Sequence, residues 1–195
     1  MKIIRFQTDT ETGHAVLQDD GRALALEGDL FGEFQVSNRA VENFRLLAPL
    51  RPTAILCIGL NYRQHALEQN SPIPTFPVLF LKAPSATQHP NEPILLPAHL
   101  KSDQVDYEGE LAIIIGKTCK NATRDNALDF VLGYSCANDV SARDWQKARG
   151  GSQWCRGKGF DTFCPLGPVL VVRLARFWSR ATRFPTRTRS PSKPA

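Results

Sequence analysis

Residues 105–116 read Val-Asp-Tyr-Glu-Gly-Glu-Leu-Ala-Ile-Ile-Ile-Gly, and they constrain the fold more than any other stretch. A run of Leu and Ile without Pro, closed by Gly116, predicts a strand. Strand side chains alternate between faces, so Glu108 and Glu110 share one face at the mouth of the segment that Ile113 to Ile115 bury. Two carboxylates that close repel each other, so one holds a proton or a cation lies between them. Oxygen ligands at the rim of a core are how a site for a hard cation begins. The pair also fits the solvated face of a half-buried strand, and the motif alone leaves both readings open.

The rest of the chain offers many short strand signals, few helices and no regular strand–helix alternation, which predicts a mixed α+β fold. Residues 2–7 form a strand, and Asp19-Asp20-Gly21 is the turn of a hairpin between 14–18 and 22–26. Residues 41–47 suit a short amphipathic helix that ends before Pro49. A buried strand over 53–58 runs into a helix over 62–69 with Asn61 as its N-cap. His65 and Glu68 then lie three apart on one helix face. Such a pair suits general acid–base work, and equally an ion pair on a surface helix. After the loop containing Pro72, Pro74 and Pro77, residues 78–82 form a strand ending in Lys82. That Lys either binds an anionic substrate or is simply exposed. Residues 94–96 suit a short strand, Thr123 caps a short helix, and 131–137 form another strand.

Asp139 follows that strand, at its carboxyl end and just before a helix. Ser141 and Asp144 resemble a capping box opening that helix, on which Arg143 and Gln146 share a face and reach a substrate near Asp139. Residues 153–161 are a Gly-rich cationic loop without the pattern of a triphosphate cradle. A last strand covers 169–172.

A chain of 195 residues, 42% hydrophobic and 22% charged, suits one globular domain with at most a small appendage. It has no apolar run long enough to span a membrane, and its first residues lack the apolar core of a signal peptide, so no membrane partner is expected. The expected compartment is the cytoplasm, with the mitochondrion second. The five cysteines are scattered without a Cys-x-x-Cys, which predicts reduced, mostly buried thiols and no thiolate metal site. The net charge of +5 is uneven: seven Lys/Arg and no acid lie beyond residue 172, leaving residues 1–172 at −2. That tail, 173–195, has the composition of a disordered segment. It suits an arm for anionic surfaces less well than an unstructured end or an out-of-frame product. The rest of the chain carries no nucleic-acid motif, so no nucleic-acid partner is expected.

Five strings occur in order. They are Gly59-Leu-Asn-Tyr-Arg-Gln-His-Ala66, Val78-Leu-Phe-Leu-Lys82, Asp106-Tyr-Glu-Gly-Glu-Leu-Ala112, Asn138-Asp-Val-Ser-Ala-Arg-Asp-Trp-Gln146 and Gly157-Lys-Gly-Phe-Asp-Thr-Phe-Cys-Pro-Leu-Gly-Pro168. Together they resemble the fumarylacetoacetate hydrolase family, in its domain-containing branch, from about residue 46 to 172. A looser match to the family's small N-terminal unit precedes them. The division this implies is a β-rich unit over 1–48, a catalytic domain over 49–172 and the basic tail over 173–195.

The resemblance implies an α+β architecture on a rolled, mixed β-sheet core. It implies Mg²⁺ (or Mn²⁺) held by Glu108, Glu110 and Asp139, with His65, Glu68 and Lys158 as the catalytic groups. Arg143 and Gln146 become substrate contacts beside Lys82. The implied substrates are small 2-oxo acids or 1,3-dicarbonyl acids, cleaved as acylpyruvates are, by C–C hydrolysis through a metal-stabilised enolate. Keto–enol tautomerisation or decarboxylation of oxaloacetate is the alternative. Family members are commonly homodimers. They also continue past the 169–172 strand with further sheet strands, so the chain reads as truncated or frameshifted, with unpaired sheet edges and exposed apolar surface. A homologue that binds metal without catalysis is the remaining alternative.

Overall fold

Near the N-terminus the computed structural model, which describes residues 1–172, follows the hairpin chemistry of the sequence; the expectations for 173–195 lie outside the described residues. Strands β1 (Lys2–Gln7), β2 (Thr12–Leu17), β3 (Ala23–Gly28) and β4 (Phe34–Ala40) run antiparallel in sequence order. The Asp20 carboxylate accepts the Arg22 amide at 3.1 Å and so closes the β2–β3 turn. The helix expected over 41–47 does not form. Arg45–Leu47 is instead a strand, β5, pairing with β1 so that Arg5 faces Leu47. Its apolar residues fit a helical period, but the free edge of β1 takes its backbone hydrogen bonds.

Next come β6 (Ile55–Gly59) and β7 (Val78–Lys82), a two-stranded antiparallel sheet of their own, with α1 (Arg63–Glu68) in the connection. The N-cap of α1 is Tyr62 rather than Asn61, and no side chain caps it. Then follow β8 (Thr87–Gln88), β9 (Val105–Asp106), β10 (Gly109–Ile115) and β11 (Val131–Asn138). Residues 94–96 are not a strand. Thr123 is not the N-cap; its amide donates to the Asn126 side chain at 2.7 Å, and Asn126 precedes a single 3₁₀ turn, Ala127–Phe130, without a side-chain capping bond. The chain ends in β12 (Ser141–Ala142), α2 (Arg143–Gln146), α3 (Trp154–Lys158), β13 (Cys164–Pro165) and β14 (Leu170–Val172). The expected helix from 141 is thus a two-residue strand and one helical turn, and the expected cationic loop over 153–161 contains a helix.

The main sheet has the order β10-β11-β14-β1-β2-β3-β4, with β5 also on β1. Because β14 sits between β11 and β1, the two ends of the described chain share one sheet. Ile3, Val16, Leu30, Ile114, Leu170 and Val172 pack on one side of it, and Ile4, Phe6, Ala15 and Val41 on the other. A third cluster, Val140, Ala142 and Phe163, underlies the end of β11.

The architecture is α+β, dominated by sheets that do not close. Among the described residues β10 is an edge strand, with Leu111, Ile113 and Ile115 each more than half exposed, and one face of the β6–β7 pair exposes Leu56, Leu79 and Leu81. All five cysteines are free; Cys57 and Cys164 are buried, whereas Cys119, Cys136 and Cys155 are exposed, contrary to the expectation of mostly buried thiols. Among the described residues no helix is long and apolar enough to cross a membrane.

Candidate metal centre

The end of β11 and the start of β10 are neighbours in register, Gly109 opposite Asn138. This pairing is what turns the Glu-x-Glu motif into a cluster. The Asp139 amide donates to the Glu108 carbonyl at 2.9 Å, and the Glu108 amide donates to the Asn138 side-chain oxygen at 3.1 Å. Each residue is thereby held by the other strand's backbone or side chain. As a result Glu108, Glu110 and Asp139 each offer a carboxylate oxygen within 4.8 Å of the others. Three hard oxygen donors on two paired strands suit a divalent cation of the Mg²⁺ or Mn²⁺ type rather than a thiophilic one.

Cations of the protein itself surround this cluster. Lys158, 2% exposed, donates to Glu108 Oε2 at 2.5 Å, Asp139 Oδ2 at 2.6 Å and Ser141 Oγ at 2.6 Å. Lys82, also buried, donates to Asp139 Oδ1 at 2.5 Å and to the Val140 carbonyl at 3.0 Å. Arg143 donates to Glu108 Oε1 at 2.8 Å, to Asp106 at 2.7 Å and to the Gln146 side-chain oxygen at 3.1 Å. The Glu110 carboxylate alone of the three makes no hydrogen bond or ion pair among the described residues and meets Lys158 and Lys82 only through their charges.

The two glutamates therefore titrate in opposite directions. Burial pushes the Glu108 carboxyl up, but hydrogen bonds from Lys158 and Arg143 outweigh it and bring the group down to about 2. Glu110 is raised, first by burial and then by the charges of Asp139 and Glu108. A divalent cation would relieve the repulsion on Glu110, so the donor set fits one.

A cavity of about 1040 Å³ opens over the cluster. Its walls hold Glu108, Glu110, Asp139, Lys158, Arg143, Gln146, His65 and Glu68, eight of the nine residues singled out from the sequence. His65 and Glu68 are both on α1, but no hydrogen bond or ion pair joins them; the His65 ring Nε2 lies 3.1 Å from the Gln69 side-chain amide nitrogen instead. Lys82 is not on these walls. It lines a second cavity of about 260 Å³ behind Asp139, with Cys57 and Cys164. Burial pushes those two thiols up, to about 12 and about 11, so neither is a ready thiolate.

Several residues of the site were not singled out. Ser141, fully buried, donates to the Asp139 carbonyl at 3.0 Å and accepts from Lys158. The expected capping box is absent, because Asp144 accepts from Ser102 at 2.5 Å and pairs with Arg149 while Ser141 faces the carboxylates. Asn138 was legible only as a strand end. Trp154 packs at a tilt against Phe80, ring centroids 5.5 Å apart, and closes over Gly59, where any Cβ would overlap its ring. No local sequence signal joins residues so far apart.

The sequence and the fold have counterparts among known proteins. Residues 54–187 match the family profile "Fumarylacetoacetate (FAA) hydrolase C-terminal", and residues 1–49 match "Rv2993c-like, N-terminal". The chain is 52% identical over 132 residues to the oxaloacetate tautomerase fahd2, mitochondrial, of Xenopus laevis, covering 67% of this chain and 41% of that one. Among solved structures it is similar to 5-carboxymethyl-2-hydroxymuconate delta-isomerase from Mycobacterium smegmatis (TM-score 0.78, 40% identity, 89% of this chain and 68% of that one). It is also similar to fumarylacetoacetate hydrolase from Exiguobacterium antarcticum (TM-score 0.75, 40% identity, 88% and 66%). The chain spans about half the length of the curated relatives it matches. On the profile match over most of its length and on these shared folds, the chain belongs to the fumarylacetoacetate hydrolase family.

Proposed function

We propose that this site belongs to a Mg²⁺- or Mn²⁺-dependent enzyme that moves a proton on small 2-oxo acids, with oxaloacetate-type keto–enol tautomerisation as its reaction. The observation that carries this reading is the position of Lys158, whose ammonium sits against two of the three clustered carboxylates at the base of the cavity. A metal bound by Glu108, Glu110 and Asp139 would polarise the 2-oxo group as a Lewis acid. Lys158 places a positive charge beside the oxygen that becomes an enolate. Arg143 and Gln146, on the cavity wall, orient the substrate carboxylate. His65, on the same wall, is the imidazole that carries the proton to or from carbon. The relative named an oxaloacetate tautomerase supports this choice.

The hydrolytic reading stays second. Breaking a C–C bond with water needs an attacking water placed against the carbonyl in addition to the proton carrier that tautomerisation already needs, and His65 and Glu68 on the cavity wall are the groups that would hold it. The solved fumarylacetoacetate hydrolase among the similar structures supports it.

The two readings separate in one assay. With Mg²⁺ or Mn²⁺ present, the chain accelerates decay of the oxaloacetate enol absorbance and turns over acylpyruvates more slowly. Lys158→Met lowers the enol rate by about 10²- to 10³-fold, the range for losing one preorganised charge-stabilising donor. Faster acylpyruvate cleavage than enol decay makes the protein a hydrolase. No turnover of either leaves a homologue that only binds metal.

A further inference from the structure

We propose that Lys82 is a positioning residue that holds the Asp139 carboxylate in the orientation the metal needs; this rests on the metal reading above. Lys82 ends β7, a strand of the separate two-stranded sheet, yet its ammonium reaches the end of β11 in the main sheet. Lys82 is 3% exposed and Asp139 is 2% exposed, so this is a desolvated ion pair. Such a pair persists only with good geometry and further hydrogen bonds. Lys82 has both: Asp139 Oδ1 at 2.5 Å and the Val140 carbonyl at 3.0 Å. The second bond matters. It ties the ammonium to the backbone one residue beyond Asp139, so the ammonium cannot follow the carboxylate if that rotates.

The Asp139 oxygens are thereby divided. Oδ1 belongs to Lys82 and Oδ2 to Lys158. Lys158 shares its ammonium among Glu108, Asp139 and Ser141 and lines the large cavity, whereas Lys82 serves Asp139 and Val140 from behind it. An anionic substrate in the large cavity therefore meets Lys158 and Arg143, not Lys82. A cation drawn in by Glu108 and Glu110 takes Asp139 Oδ2 in place of one of the three bonds of Lys158, which faces the large cavity, while Lys82 keeps Oδ1 from behind. Lys82 thus holds the Asp139 carboxylate in a fixed orientation, with Oδ2 turned to the side of Lys158 and the large cavity.

Outer partners of ligating carboxylates typically change metal affinity by about 10- to 100-fold when removed. Calorimetric titration with Mn²⁺ alone reads this directly in the full chain and two variants. Lys82→Met removes the ammonium. Lys82→Arg keeps a charge against Asp139 but replaces a point donor by a planar fork, which cannot reproduce the paired bonds to Oδ1 and Val140. Metal-free melting establishes that each variant is folded, and Lys82→Arg decides the matter if Lys82→Met does not fold. The expected result is a Mn²⁺ dissociation constant raised about 10- to 100-fold in Lys82→Met and about tenfold in Lys82→Arg, with oxaloacetate KM at saturating Mn²⁺ within about twofold of the parent. A dissociation constant within about threefold of the parent in a folded variant overturns the proposal, as does a KM that rises while Mn²⁺ affinity holds. A parent chain that does not take up Mn²⁺ overturns the metal reading and this inference with it.

Discussion

At Glu110 a carboxylate stands half-buried beside two others, and the charges of Lys158 and Lys82 only partly offset burial and repulsion, whereas Glu108, two residues away, is hydrogen-bonded by both Lys158 and Arg143. The linkage follows in opposite senses. Glu108 is depressed, so its contribution to stability is present above the ordinary value of 4.5 and is lost as pH falls toward about 2. Glu110 is raised, so its contribution is full below 4.5 and is lost as pH rises through its folded value. Without metal, Glu110→Gln therefore melts at or above the parent temperature at pH 7.5, and the advantage shrinks as the buffer is taken down toward pH 4.5. A metal-free melting series over that range checks it, and a variant less stable than the parent at pH 7.5 contradicts it. The Glu-x-Glu motif was legible in the sequence because strand alternation is local and strict. Ser141 was misread as a cap for the opposite reason. Its hydroxyl chooses between a local amide and a distant ammonium, and Lys158, 17 positions on, wins.

Among the elements, those built from local chemistry were readable. The Asp-Asp-Gly hairpin and β7, stopped by Pro84, formed where expected. Those that depend on a distant partner were not. Arg45–Leu47 became a strand only because β1 offers an edge. Helix α3 was hidden by its own Gly157, a residue that weakens an isolated helix. In the fold that glycine is required, since a Cβ there would overlap the Gln146 amide and the Ala142 carbonyl where α3 meets α2. Gly157→Ala should cost about 1–3 kcal/mol in chemical denaturation, the usual range for forcing an extra carbon into a packed contact. It should also lower Mn²⁺ affinity, because the neighbouring Lys158 moves with the helix. A variant as stable as the parent would mean that α3 has room to shift.

For the molecule as a whole, the order β10-β11-β14-β1 could not be read locally, because it joins the first strand to the last described one. The fold class and the three acids were legible; the pairing that brings the acids within 4.8 Å depends on β10 and β11 meeting in register. The open edge at β10 and its exposed Leu111, Ile113 and Ile115 lie on the strand that carries Glu110. Among the described residues the site thus sits on a strand with one neighbour in the sheet, and a bound cation joining β10 to Asp139 would stiffen it. The central claim, that Glu108, Glu110 and Asp139 hold a divalent metal, is tested most directly by thermal melting with and without Mg²⁺ or Mn²⁺. At about 100 times the dissociation constant a bound metal contributes about 2.7 kcal/mol, a rise of about 5–10 °C for a chain of this size. The account predicts that rise in the parent and its loss in Glu110→Gln; no rise with either metal, or an equal rise in the variant, would contradict it.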